Sequence, residues 1–227
     1  MKVFIIKFSG IPMTKEHLLE SLKKQGFSEY IVKAFERVSR ESFVPYHWKE
    51  HAYDDSALDI GFGQTISQPY TIAFMLSLLE LKDNQKIIEI GSGSGYVLAL
   101  INELSPDSKI YGVERLGVLA VKSQEILHDK ENIQVFKKDG YDGLKKYSPY
   151  DRILISAAAD ELPKHLINQL KIGGIMVVPV QNSIFHIKKT AHGFIKKEFP
   201  GFVFVPLIKE QGYNSLYSIH ISNRGKD

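Results

Sequence analysis

Two hydrophobic rhythms divide the chain. From Thr14 to Val38 the apolar residues recur every three to four positions: Leu18, Leu19 and Leu22, then Ile31, Val32, Phe35 and Val38. That spacing places them on one face of a helix. It predicts helices over Thr14–Gln25 and Ser28–Val38, with Thr14 as a cap and Gly26 as a stop. Phe43-Val44-Pro45 breaks the series, and Asp54 to Gly63 reads as irregular. The stretch Gly63–Tyr70, GQTISQPY, then leads into an apolar run. A helix is expected from Pro69 to about Leu81, because proline suits a first helical turn.

From Lys86 the rhythm changes. Strands are predicted at Lys86–Ile90, Lys109–Val113, Ile133–Phe136, Asp151–Ile155 and Ile175–Val180. Helices alternate with them at Tyr96–Leu104, Leu116–His128 and Pro163–Leu170, and Lys171–Gly174 reads as a turn. This alternation predicts an α/β fold with a doubly wound, mostly parallel sheet. Beyond Val180 only strands are expected, at Ile184–Lys188, Phe194–Glu198 and Phe202–Leu207, with a turn at His192-Gly193. With no repeat and no linker, one domain is expected over 1–227. It comprises a helical cap and substrate-side segment (13–82), a ligand-binding core (83–180) and a β extension (181–227).

Composition narrows the classes. The 227 residues are 44% hydrophobic and 24% charged, with net charge +3 and no cysteine. Disulfides, thiolate chemistry and cysteine-type zinc sites are thereby excluded. So small a charge gives no footprint for nucleic acid. No apolar run approaches the roughly 20 residues of a membrane span. Lys7 interrupts the one apolar patch near the start, so a secretory signal is not expected; Met13 is an alternative start, and residues 1–12 read as an extension. The expectation is a cytoplasmic monomer with neither membrane nor nucleic acid as partner.

The most informative stretch is IIEIGSGSGY. Glycines after a strand let a backbone approach a ligand closely, and the next helix offers its positive end. A dinucleotide fingerprint would place its third glycine at position 96, where Tyr96 stands. Glu89, two residues before Gly91, would repel a pyrophosphate. S-adenosylmethionine carries an ammonium and a sulfonium and no phosphate, so the acid favours that ligand. Glu114, at the next strand end and followed by Arg115, suits ribose hydroxyls; Asp139, followed by Gly140, suits an adenine amino group. Each acid alone reads equally well as a solvated strand end. Their order at three successive strand ends supports a cofactor site comprising Glu89, Gly91, Ser92, Gly93, Ser94, Gly95, Glu114, Arg115, Asp139 and Gly140.

GQTISQPY gathers polar residues at a helix mouth with no acid or histidine adjacent, so Ser67 lacks a base. Two roles stay open: capping the helix, or holding an anion there with the free helical N–H groups. Other patterns read as incidental. His47-Trp48-Lys49-Glu50-His51 matches an inverted zinc-protease motif outside a suitable helix, Asp54-Asp55 lacks a third metal ligand, and Lys188-Lys189 and Lys196-Lys197 read as a solvated hairpin face. No metal site is expected.

GQTISQPY, IEIGSGSGY, YGVER, KDGYDG, PYDRILISAAADELP, LKIGGIMVVPV and FVFVPL occur in this order. Together, over roughly Thr14 to Leu207, they resemble the protein-L-isoaspartate O-methyltransferase family. The resemblance implies a class I, Rossmann-like methyltransferase. It takes S-adenosylmethionine to S-adenosylhomocysteine and esterifies the α-carboxylate of L-isoaspartyl residues in damaged proteins, with D-aspartyl residues as a further acceptor class. The ester closes to a succinimide, whose hydrolysis restores some aspartate. It also implies Ser67 as the active-site serine, Thr65, Ile66, Gln68 and Tyr70 as neighbouring substrate walls, and Val205-Pro206-Leu207 beside the substrate peptide. This chain departs from the family pattern at Ala57–Gly61, Tyr70, Thr71 and Gln181, all on the substrate rim. A class I methyltransferase acting on RNA or a small metabolite is the alternative; a silent S-adenosylmethionine-binding protein is a third.

Overall fold

The computed structural model describes residues 11–208. Helix α1 (Lys15–Lys24) is capped by Thr14, whose hydroxyl accepts from the His17 N–H; α2 (Glu29–Arg37) is capped by Ser28 in the same way through Ile31. Their apolar faces bury Leu18, Leu22, Ile31, Val32 and Phe35. Phe35 meets Tyr96 edge-on, with ring centroids 6.2 Å apart.

Two 3-10 turns follow, Arg40–Ser42 and Tyr46–His51. The second contains His47 and His51. Residues three apart eclipse in a 3-10 turn, so two histidines four apart do not share a face as the zinc motif requires. His51 Nδ1 instead lies 2.8 Å from an Asp54 carboxylate oxygen.

The stretch expected to be irregular, 54–63, contains half of a hairpin. Strand β1 (Leu58–Gly61) pairs antiparallel with β2 (Gln64–Ile66). Gly61, Phe62 and Gly63 turn between them, all at positive φ. The strands have four and three residues, too short for an alternation to stand out. Helix α3 spans Pro69–Leu79, two residues less than expected. Arg152 sets its end: Nε donates to the Leu79 carbonyl (2.5 Å) and Nη2 to the Glu80 carbonyl (2.8 Å).

The remaining elements are β3 (Lys86–Ile90), α4 (Tyr96–Leu104), β4 (Lys109–Glu114), α5 (Gly117–Ile126), β5 (Ile133–Lys137), β6 (Tyr150–Ile155), α6 (Lys164–Ile167), β7 (Leu170–Val180), β8 (Ser183–Thr190) and β9 (Gly193–Pro200). The sheet order is β5-β4-β3-β6-β7-β8-β9, parallel through β7 and antiparallel beyond. This is the expected mostly parallel, doubly wound sheet. Three elements differ locally. Strand β7 runs through Gly173-Gly174, and a register shift against β6 absorbs the extra residues. Helix α6 is one turn long, and 202–207 is no regular strand but is bridged to Ala158 at Pro206.

Strand β3 shows how the core positions the site. Its side chains alternate faces, so Ile88 and Ile90 enter the core on one side of the sheet, and Ile87 and Glu89 face the helices α3 and α4 on the other. Burial of each isoleucine contributes about 2 kcal/mol. The same alternation carries a carboxylate into the interior.

Candidate active site

Strand β3 neighbours β4 on one side and β6 on the other, so the chain changes winding direction there. Parallel sheets bind ligands at this switch, beyond the carboxyl ends of the strands. A cleft opens at that place, as small-molecule sites do in such sheets. Thr65, Ile66 and Ser67 line one wall, Gly91 to Ser94 with Tyr96 the other, and Glu89 and Ser156 the floor.

The glycine loop is built by its strand. The N–H groups of Gly91 and Ser92 both donate to the Val113 carbonyl (2.8 and 3.1 Å), folding the loop back over β4. Gly95 makes the turn into α4 at φ +87, and a Cβ there would stand 2.3 Å from Ser123 Oγ. Only glycine fits this conformation and this contact. Glu114 ties the loop to the next strand: one carboxylate oxygen accepts from the Gly93 N–H (2.9 Å) and the other from the Leu116 N–H (2.8 Å).

Glu89 is 1% exposed. Ser156 Oγ donates to its Oε1 at 2.7 Å, while Oε2 and the nearby Ser92 hydroxyl are buried without a hydrogen-bond partner. Burial pushes the carboxyl up to about 8; the Ser156 bond opposes the shift and the Glu114 charge adds to it. A buried carboxylate oxygen with no donor costs stability. An ammonium ligand would supply both the donor and the charge, so the residues fit S-adenosylmethionine. Asp139 accepts from the Tyr141 N–H at 2.9 Å and stands at the end of β5 with Gly140. A Cβ on Gly140 would lie 2.6 Å from Ile90 Cγ2. Arg115 is half-buried just beyond Glu114.

The substrate-side residues divide. Thr65, Ile66 and Ser67 line the cleft; Gln68 and Tyr70 do not. The Tyr70 ring packs against Phe27 and Phe74, with centroids 5.5 and 6.4 Å apart, because its place on α3 points it to the apolar cap. Gln68 Oε1 accepts from the Thr71 hydroxyl at 3.4 Å. Val205-Pro206-Leu207 lies along the loop after β6: the Ala158 N–H donates to the Val205 carbonyl (2.8 Å) and the Leu207 N–H to the Ala158 carbonyl (2.7 Å). That loop begins at Ser156, the partner of Glu89.

The helix mouth differs from the sequence reading in two ways. Ser67 does not cap α3: the N-cap residue is Gln68, with no side-chain cap bond. An acid is present after all. Asp55 reaches across 15 residues and accepts from the Tyr70 N–H at 2.8 Å. Pro69 has no N–H, so the first two positions of α3 offer nothing to a further anion. What remains at the cleft is the Ser67 hydroxyl, on a backbone held from behind by Arg40, whose Nη2 donates to the Ser67 carbonyl at 2.9 Å. Sequence reasoning missed Arg40, Asp55 and Ser156. PYDRILIS carried Ser156 in plain view, but nothing in the local pattern pairs it with Glu89.

Comparison with known proteins shows which family the sequence and fold resemble. The model of the protein-L-isoaspartate(D-aspartate) O-methyltransferase (PCMT) family matches residues 13–212. The chain is 39% identical to a protein-L-isoaspartate O-methyltransferase of Christiangramia forsetii, over 87% of this chain and 95% of that one. It is 43% identical to one of Petrotoga mobilis, over 85% and 93%. Its fold superposes with TM-score 0.76 on a structure from Plasmodium falciparum described as a protein-L-isoaspartate O-methyltransferase in complex with S-adenosyl-L-homocysteine, at 26% identity over 87% of this chain and all of that one.

Proposed function

The chain belongs to the protein-L-isoaspartate(D-aspartate) O-methyltransferase family, and from that premise we propose how it methylates the α-carboxylate of L-isoaspartyl residues in damaged proteins. The observation that carries the reading is that Ser67 and Glu89, whose Oε2 is buried without a partner, line one cleft. S-adenosylmethionine, when bound, supplies an electrophilic methyl group on a sulfonium.

Glu89 and Ser92 would hold the ammonium end of the cofactor, Glu114 with Arg115 its ribose, and Asp139 with Gly140 its adenine. On the opposite wall Ser67 donates its hydroxyl to one oxygen of the acceptor carboxylate and so aims the other at the methyl group. Thr65 and Ile66 flank it, and Val205-Pro206-Leu207 runs beside the peptide. The acceptor is already ionised at neutral pH, which is why Ser67 needs no base. Asp55 is occupied in capping α3 and is not one. The leaving group would be a neutral thioether, which needs neither an acid nor a metal. The work is alignment of carboxylate, carbon and sulfur with water excluded. The ester then closes to a succinimide without the enzyme, and hydrolysis of the ring restores part of the normal aspartate.

The same reading takes the chain as one domain, acting as a cytoplasmic monomer on protein and not on nucleic acid or membrane. The cysteine-free composition and the net charge of +3 support it. Among the described residues no helix is long and apolar enough to cross a membrane.

The test uses labelled S-adenosylmethionine with matched peptides carrying isoaspartate or aspartate at one position. Base-labile label on the isoaspartyl peptide alone is expected. Label on both peptides, or on neither, would refute the reading.

A further inference from the structure

Among the described residues Arg40 is the largest fully buried side chain. No carboxylate among the described residues is bonded to it. Nη2 donates to the carbonyls of Ser67 (2.9 Å) and Ser56 (3.4 Å), and Nε and Nη1 are buried with no hydrogen-bond partner. Its guanidinium stacks over the Tyr96 ring at 5.1 Å from the centroid. Burial pulls the group down to about 10, while the Tyr96 phenol and the Asp55 carboxylate counter the shift.

This residue is expensive where it stands. A buried cation that is partly unsatisfied costs stability, and an apolar side chain of similar volume is often neutral or better. Stability alone therefore does not account for an arginine here. Its contacts give the other reason. Ser67 stands on the acceptor wall of the cleft, and Tyr96 is the first residue of α4, directly after the glycine loop on the donor wall. Arg40 touches both from behind.

We propose that Arg40 is a positioning residue for methyl transfer, setting the distance between the acceptor and cofactor walls by holding the Ser67 carbonyl and the Tyr96 ring at once. The inference rests on the reading of Ser67 as the carboxylate holder. In-line transfer tolerates little error, since a misplacement of about 1 Å costs on the order of 100-fold in rate.

The experiment compares the parent with Arg40→Met, Arg40→Lys and Ser67→Ala in the full chain. Melting temperature, calorimetric S-adenosylhomocysteine affinity, and kcat and KM for an isoaspartyl peptide are measured, with rates counted per S-adenosylhomocysteine-binding site. Arg40→Met is expected to melt close to the parent and bind S-adenosylhomocysteine within about threefold. Its kcat should fall roughly 100-fold with KM little moved. Arg40→Lys, which keeps one donor for the Ser67 carbonyl, should recover roughly tenfold of that loss. Parental kcat in Arg40→Met, lost cofactor binding, or no recovery with lysine would overturn the proposal. Should the methionine variant fail to fold, the lysine variant decides: lowered kcat at full binding stoichiometry supports the proposal, and parental kcat overturns it. If Ser67→Ala loses turnover while Arg40→Met keeps it, the inference alone fails. If Ser67→Ala keeps full turnover, the reading of Ser67 fails.

Discussion

At the scale of the residue, Glu89 shows what the site costs the empty protein. A glutamate in the unfolded chain titrates near 4.5, and burial raises this one to about 8. Between those pH values the folded chain keeps a proton that the unfolded chain has lost. Rising pH therefore removes stability from the cofactor-free protein across that window, and above it the loss is complete. Each unit of difference is worth about 1.4 kcal/mol, so the total is on the order of a few kcal/mol. Glu89→Gln removes the ionisation and keeps an oxygen that accepts from Ser156. The cofactor-free variant is expected to melt with a flatter pH dependence from about pH 5 to 8 than the parent, and higher at pH 8. It should also bind S-adenosylmethionine at least roughly tenfold more weakly, a loss of about 1.4 kcal/mol, for want of a charge to meet the ammonium. Parallel melting curves in parent and variant would show that Glu89 does not titrate in this window.

At the scale of the element, α3 depends on groups far away in sequence. Asp55 caps its start and Arg152 its end. Asp55→Ala should cost about 1 kcal/mol in chemical denaturation. It should also raise KM for an isoaspartyl peptide, because Ser67 lies just ahead of the loosened turn, while cofactor affinity holds. Asp55→Asn, whose amide oxygen still accepts from the Tyr70 N–H, should restore most of both. An alanine variant with unchanged denaturation midpoint would remove Asp55 as the cap. These ends mark the boundary of what the sequence makes legible. Thr14 and Ser28 bond to N–H groups three residues on, so their caps are written in the local order of residues. The cofactor wall is legible for the same reason: Glu89, the glycines and Glu114 sit within two successive strand–loop–helix units, and their spacing carries the chemistry. The acceptor wall is held by Arg40 and Asp55 around Ser67, and the floor by Ser156 against Glu89, through bonds that span 15 to 67 residues, and no periodicity records them. The β1–β2 hairpin escaped for a different reason, its strands being shorter than any recognisable alternation.

At the scale of the whole molecule, four of the buried polar atoms without a partner lie at or behind one cleft. Glu89 Oε2 and Ser92 Oγ lack partners at its floor and donor wall, and Arg40 Nε and Nη1 lack them behind it. A ligand that supplies partners to the first pair binds the folded state and not the unfolded one, so it stabilises the fold by mass action. At a hundred times its dissociation constant the gain is about 2.7 kcal/mol. In a domain of this size each kcal/mol moves the melting temperature by about 2–4 °C, giving a shift of roughly 5–11 °C. S-adenosylhomocysteine is expected to produce it, and NAD, whose pyrophosphate would meet Glu89, to produce none. Because Arg40 touches both walls, ordering of the cofactor loop should reach the acceptor wall without any acceptor present. Hydrogen exchange then shows protection of 91–95 on binding and, to a lesser degree, of 65–72. Protection confined to the glycine loop would mean that the two walls are independent, and that each substrate finds its place without the other.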